Sequence, residues 1–130
     1  MKEAEATQYI MGYTCFNDIT ARDIQKRDGQ WTRAKSYDTF APLGPSIATD
    51  INPGNLKIQL QVNHETRQSS QTSNMVFSPR MLISFISQVM TLLPEDVVAC
   101  GTPPGVGPLK RGDRVEVMIE EVGTLSNTVQ

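Results

Sequence analysis

Leu56, Ile58, Leu60 and Val62 alternate with Lys57, Gln59 and Gln61. Apolar side chains at every second position give a strand one covered face and one wet face, a pattern that no helix satisfies. The fold must therefore contain a sheet with a face against the core. Asn63-His64 follows as a turn, and residues 65–68 return as the second strand of a hairpin. Val115, Val117 and Ile119 repeat the alternation after a turn at Lys110-Arg111-Gly112-Asp113. Tyr13-Thr14-Cys15-Phe16 reads as another strand, preceded by a short helix over residues 4–11 that Gly12 closes, and residues 97–100 read as a short buried strand. Residues 21–26 form one or two helical turns before Asp28-Gly29 breaks them. Ser78 supplies a capping hydroxyl and Pro79 fills the first helical position, where its missing N–H costs nothing. Beyond them Leu82, Ile86, Val89 and Leu93, flanked by Ile83 and Met90, recur at three- and four-residue steps and predict a core-facing helix. Strands joined by short turns around one principal packing helix predict a mainly β (α+β) architecture in a single domain, residues 1–130.

Charge removes two partner classes. Twelve Lys and Arg stand against 14 Asp and Glu, a net charge of −2, so there is no basic footprint for nucleic acid. The longest nearly apolar stretch, residues 81–93, is broken by Ser84, Ser87, Gln88 and Thr91 and is too short and polar to span a bilayer, so no membrane partner is expected. Met-Lys-Glu-Ala-Glu-Ala-Thr at the start lacks an apolar signal core, and Cys15 and Cys100 fall in no metal spacing. A reducing cytoplasm is the expected compartment.

Polar chemistry concentrates in three places. In Asn17-Asp18-Ile19-Thr20-Ala21-Arg22-Asp23-Ile24-Gln25 a strand gives way to a helical turn. Asp18 there offers a carboxylate in fixed geometry to a hard divalent cation; alternatively Asp18 or Thr20 caps the turn while Arg22 pairs with Asp23. Lys35 follows Trp31 and precedes an aromatic run. It could stabilise an enolate or orient a carboxylate, or lay its methylenes on apolar neighbours at the surface. Gly101-Thr102-Pro103-Pro104-Gly105-Val106-Gly107 lets backbone N–H groups approach an anion, or is a rigid turn with no ligand. It is not a nucleotide loop, since no Gly-Lys-Ser/Thr follows and two prolines remove donors. His64, in the hairpin turn, and Cys100, read as a buried strand thiol, are not expected to be catalytic.

Taken in order, Gly12-Tyr13-Thr14 leading into residues 17–25, Gln30-Trp31 to Lys35-Ser36-Tyr37-Asp38-Thr39-Phe40, Pro42-Leu43-Gly44-Pro45, Val62-Asn63 with Arg67-Gln68, and Gly101-Thr102-Pro103 with Gly105-Val106-Gly107 resemble the fumarylacetoacetate hydrolase family from about Tyr9 onward. The resemblance implies a mixed β-sandwich roll, assembled as a homodimer or higher homo-oligomer. It also implies action on a small-molecule oxo acid, a 2-oxo or 2-hydroxy-dienoic acid of acylpyruvate or 2-hydroxymuconate type, with Mg²⁺ or Mn²⁺ stabilising an enolate. Asp18 matches a metal-binding carboxylate and Lys35 the active-site lysine. Gln25 and Thr102, with Gly101 beside it, match substrate contacts, and Thr39 lies near the metal shell. Arg22 belongs to the same signature and either touches substrate or holds the loop through Asp23.

The chain departs from that pattern in one respect. The family's Glu-x-Glu metal pair and its His/Glu base, both upstream of the aspartate, have no counterpart; Glu3 and Glu5 copy the spacing in a different place. The expectation is the C-terminal part of a longer enzyme, or a split or truncated one, whose single carboxylate binds Mg²⁺ poorly. The alternative function is an inactive scaffold kept as an assembly module. Sheet edges left open predict self-association.

Overall fold

The alternating segment is β3 (Lys57–Val62) in the computed structural model, which describes all 130 residues. It lies inside a four-stranded antiparallel sheet ordered β4-β3-β5-β6, with β4 (Glu65–Gln71), β5 (Arg114–Ile119) and β6 (Gly123–Thr128). Register carries the alternation across strands: Leu60 faces Val117, Val117 faces Leu125, and Leu60 faces Gln68 on its other side. Paired residues share a face, so this row runs apolar until it ends on the amide of Gln68 at the sheet edge.

A second, two-stranded sheet pairs β1 (Tyr13–Phe16) with β2 (Leu43–Ala48), with a register shift between Tyr13 and Cys15. Close approach at its start requires Gly12, where a Cβ would lie 2.6 Å from both the Ala48 carbonyl oxygen and Ile47 Cγ2. The core forms where the two sheets meet: Cys15, Leu56, Val117, Val122 and Leu125 are buried, with Tyr13, Ala48, Ile51, Leu60 and Ile119 packed on them. Two hydrogen bonds stitch the seam, Cys15 Sγ to the Gly123 carbonyl at 3.3 Å and Ser46 Oγ to the Val122 carbonyl at 3.4 Å. Burial pushes the Cys15 thiol pKa up, so it stays a protonated donor there.

The helices are short. α1 (Glu3–Ala6) passes into a 3₁₀ turn at Thr7–Tyr9; α2 (Arg22–Asp28) and α3 (Thr32–Lys35) separate β1 from β2; α4 (Pro79–Val89) follows β4. Ser78 caps α4 as expected, its Oγ accepting the Met81 N–H at 3.1 Å. The apolar stripe of α4 is only partly covered, however. Leu82, Ile83 and Ile86 are half-buried, none of them in the central core, whereas Val89 and Met90 are exposed, as is Leu93 beyond the helix; polar groups of α4 also bond to the segment around α1. Ser84 Oγ donates to the Met1 carbonyl at 3.0 Å and Ser78 Oγ to Glu3 Oε1 at 3.2 Å.

Residues 97–100 form no strand, and Val97 and Cys100 are exposed. A strand needs a ladder partner, and these residues pair with neither sheet; the loop after them comes against β4 at Gly105, beside the Arg67 carbonyl. Strands β2 and β6 and helix α3 lie outside the elements expected from the sequence. The Gly44-Pro45 step reads as punctuation, yet β2 tolerates it as half of a two-stranded sheet. β6 buries only Leu125.

Candidate functional site

The loop after β1 is pinned through its backbone. The Asn17 N–H donates to the Pro42 carbonyl at 3.1 Å, Ile19 N–H to Asn17 O at 2.9 Å, and Ala21 N–H to Ala34 O at 2.9 Å. These bonds set Asp18 and Thr20 beside α3, whose last residue is Lys35. Lys35 Nζ forms an ion pair with Asp18 Oδ2 and donates to Thr20 Oγ1 at 3.3 Å, while Thr20 Oγ1 donates its own proton to the Asp18 carbonyl at 3.0 Å. The Trp31 ring centroid lies 5.8 Å from the same ammonium, at the outer reach of a cation–π contact. The Lys35 side chain is 27% exposed and that of Asp18 38%. A pair this open to water contributes about 1 kcal/mol or less to stability, so its value lies in holding a charge in place.

A second clamp fixes where α3 stands. Arg33 engages Asp28 of α2 with two parallel bonds, Nε to Oδ2 and Nη2 to Oδ1, both 2.6 Å. Hydrogen bonds from that guanidinium hold the Asp28 carboxyl below the usual carboxylate range.

The capping alternative fails. The residue before α2 is Ala21, no side chain caps that helix, and Asp18 and Thr20 are used by Lys35 instead. Arg22 does not pair with Asp23; its Nη1 donates to Gln25 Oε1 at 3.0 Å, along the same helix. Thr39 sits in a turn closed by the Phe40 N–H to the Tyr37 carbonyl at 3.0 Å. Its φ of +68° is a conformation that β-branched residues rarely adopt and that costs of the order of 1–2 kcal/mol. Thr102 is exposed in its own loop, where its hydroxyl accepts from Gln68 Nε2 at 2.8 Å, and Gly101 beside it has φ +104°. No hydrogen bond or ion pair joins Gln25, Thr39 or Thr102 to Asp18 and Lys35. The structure thus brings Asp18, Lys35, Thr20 and Trp31 together and keeps the remaining residues in separate contacts. Thr20 entered the sequence reading only as a cap, because its bond to Lys35 spans 15 positions and leaves no local pattern.

These residues do not by themselves make a metal centre. Asp18 is the one carboxylate at the site, its Oδ2 is held by an ammonium, and nowhere do three His, Cys, Asp or Glu side chains converge. Mg²⁺ and Mn²⁺ favour octahedral oxygen shells, which one carboxylate and nearby hydroxyls leave largely unfilled.

The family model described as fumarylacetoacetate (FAA) hydrolase C-terminal matches residues 1–130. A protein of Methanocaldococcus jannaschii is 56% identical over 130 residues, which cover 100% of this chain and 55% of that protein. The mitochondrial oxaloacetate tautomerase Fahd2a of Rattus norvegicus is 45% identical, over 99% of this chain and 45% of its own. Among solved structures, 5-carboxymethyl-2-hydroxymuconate delta-isomerase from Mycobacterium smegmatis superposes with a TM-score of 0.98 at 49% identity, covering 99% of this chain and 51% of that one. Maleylpyruvate hydrolase from Sphingobium sp. SYK-6, in complex with manganese(II) ion and pyruvate, superposes with a TM-score of 0.90 at 36% identity, covering 99% and 47%. The chain spans about half the length of the relatives it matches.

Proposed function

The chain belongs to the fumarylacetoacetate hydrolase family, and on that premise we propose that it carries the lysine half of a hydrolase or isomerase active site for 2-oxo and 2-hydroxy-dienoic acids. Relatives named as a muconate-type isomerase, a maleylpyruvate hydrolase and an oxaloacetate tautomerase support that substrate class. The compounds in those names, a 2-hydroxymuconate, a maleylpyruvate and an oxaloacetate, are 2-hydroxy or 2-oxo acids, whose keto and enol forms interconvert through an enolate with negative charge on the C2 oxygen.

The observation that carries the proposal is the held ammonium of Lys35. Asp18 and Thr20 engage Nζ, leaving a compact positive charge with one N–H that no group of the chain accepts. Set beside the C2 oxygen of an oxo acid, it favours the enolate over the ketone, because the charge is strongest where the oxygen becomes anionic. Loss of a proton from C3 to water, or cleavage of the C3–acyl bond after water has added to the acyl carbon and carries it away as a carboxylic acid, leaves the electron pair in that enolate; reprotonation at carbon restores the ketone. Gln25, Arg22, Thr102 and Gly101 are proposed as substrate contacts, with Thr39 near the metal shell beside Asp18. Asp18 would hold Mg²⁺ or Mn²⁺ only together with oxygen donors from outside this set of side chains, and such an ion would add Lewis-acid stabilisation of the enolate. A homo-oligomeric assembly is proposed with it.

The test is exchange of the C3 protons of oxaloacetate into deuterated water, followed by NMR with Mg²⁺ present. Lys35→Met should slow the catalysed exchange about 100-fold or more, the usual consequence of removing one group aimed at an oxyanion. If the unaltered chain gives no acceleration over buffer, the enzymatic reading of this chain fails. The lone carboxylate favours a second reading, an assembly module with no turnover of its own. Calorimetry separates the two, since micromolar Mn²⁺ affinity would contradict the module.

A further inference from the structure

Gln68 is only 7% exposed although β4 is an edge strand. Its pairing with Leu60 places it on the face of Val117 and Leu125, at the end of an apolar row. A primary amide buried there must be hydrogen-bonded, and one nitrogen makes both bonds: Nε2 lies 2.6 Å from the Pro103 carbonyl oxygen and 2.8 Å from Thr102 Oγ1. A carbonyl only accepts, so the amide must present its NH₂ group to residues 102–103, and both of its hydrogens are then used. The Thr102 hydroxyl is therefore the acceptor in its bond to Gln68. Its own proton is donated to no group of the chain.

The loop packs on β4 at a second point. Gly105, at φ +109°, packs so closely that a Cβ would collide with the Arg67 carbonyl, one residue before Gln68. Backbone packing seats the loop on β4, and Gln68 then decides which way the hydroxyl of Thr102 points.

We infer that Gln68 is a positioning residue, which by occupying the lone pair of Thr102 Oγ1 turns the hydroxyl proton outward to donate to an anionic oxygen of a bound oxo acid. The inference deepens the proposed function and rests on its reading of Thr102 as a substrate contact. Gln68 never touches the ligand; it acts through Thr102. The resulting chain, Nε2–H to Oγ1–H to ligand oxygen, is cooperative, since an oxygen that donates becomes a better acceptor.

Cooperativity supplies a signature that a purely structural glutamine would lack. The full chain, labelled with ¹⁵N and supplied with Mg²⁺, is titrated with pyruvate while the two Gln68 side-chain protons are followed. The proton facing Thr102 is expected to move downfield as pyruvate binds, and its twin on Pro103 to move little. Gln68→Met, of similar length but without donors, is expected to weaken pyruvate about tenfold, the scale of one hydrogen bond to a charged group. Should Lys35 and Thr102 respond to pyruvate while both Gln68 protons stay still, or should Gln68→Met bind as tightly as the parent, the inference falls and the proposed function stands. Should pyruvate move neither Lys35 nor Thr102, the functional reading falls and this inference with it. The titration of the unaltered chain decides the matter even if Gln68→Met does not fold.

Discussion

Asn63 and His64 both lie at positive φ, +51° and +66°, the backbone of a two-residue hairpin turn that matches the twist of its strands. Asn63 does more than turn. Its Oδ1 accepts the Arg114 N–H at 2.9 Å and its Nδ2 donates to Asp113 Oδ1 at 2.9 Å, joining the β3–β4 hairpin to the turn before β5. Asn63→Ala loses both bonds and places a Cβ in left-handed backbone, so its urea midpoint should drop by the equivalent of about 2 kcal/mol; a change within about 0.5 kcal/mol would refute that account. Asp113 extends the network. The Lys110 N–H, first, and the Asn63 amide hold its carboxyl below the usual range. A depressed folded-state pKa means the unfolded chain binds more protons, so this contribution is complete above the ordinary carboxylate value, about 3.9, and vanishes as pH falls through the lower folded value. Asp113→Asn should therefore lose less stability than the parent between pH 6 and pH 3 in parallel urea titrations, and identical losses would refute the assignment. The turn at residues 63–64 was legible because Asn tolerates positive φ; its reach to Asp113 was not, because 50 positions separate the partners. The same distinction runs through the site. Asp18 and Lys35 are legible through a family signature, whereas Thr20 and Gln68 are single polar residues whose meaning comes only from what lies against them.

Elements were readable where one face is covered and obscure where the sheet ends. β3 and β5 sit inside the four-stranded sheet and alternate cleanly, whereas β6, at its edge, spells Gly-Thr-Leu-Ser-Asn-Thr with one buried side chain. Residues 97–100 show the converse: Val97 and Val98 suit a strand, but these residues pair with no ladder, and pairing overrides propensity. α4 was legible in position and only partly in orientation, with Leu82, Ile83 and Ile86 half-buried and Val89 and Met90 exposed, because periodicity reports that a stripe exists without saying what covers it. Its attachment to the rest of the fold runs through α1, so its stability is predicted to be local. Ser78→Ala removes the cap and should cost about 1 kcal/mol. Amide exchange should quicken across α4 with β5 unchanged. Equal acceleration in both elements would mean that α4 and the sheet open as one unit.

At the scale of the whole molecule, surface area argues for a partner. The chain exposes 9188 Å², about a third more than the roughly 6,800 Å² expected for a folded monomer of 14.4 kDa. Large apolar side chains contribute to it and cluster along the chain, with Phe77, Met81, Phe85, Val89, Met90, Leu93 and Val97 all exposed. Patches of that extent on soluble proteins mark contact surfaces. Two copies meeting face to face through α4 would each cover the other's stripe, because a two-fold interface buries the same residues on both sides. A stable pair needs about 1,200–2,000 Å² in total, which the excess on two chains exceeds. The oxo-acid site need not take part, since Lys35 and Asp18 belong to the loop and helices on the β1 side, which make no polar contact with α4. Sedimentation velocity from micromolar to submillimolar concentration should therefore show a dimer or larger assembly, and Phe85→Glu, which sets like charges against each other across the axis, should shift it to monomer. The proposed response to pyruvate should survive that substitution. A parent chain that sediments as a monomer throughout would mean that α4 meets no second copy, and the area argument would fail.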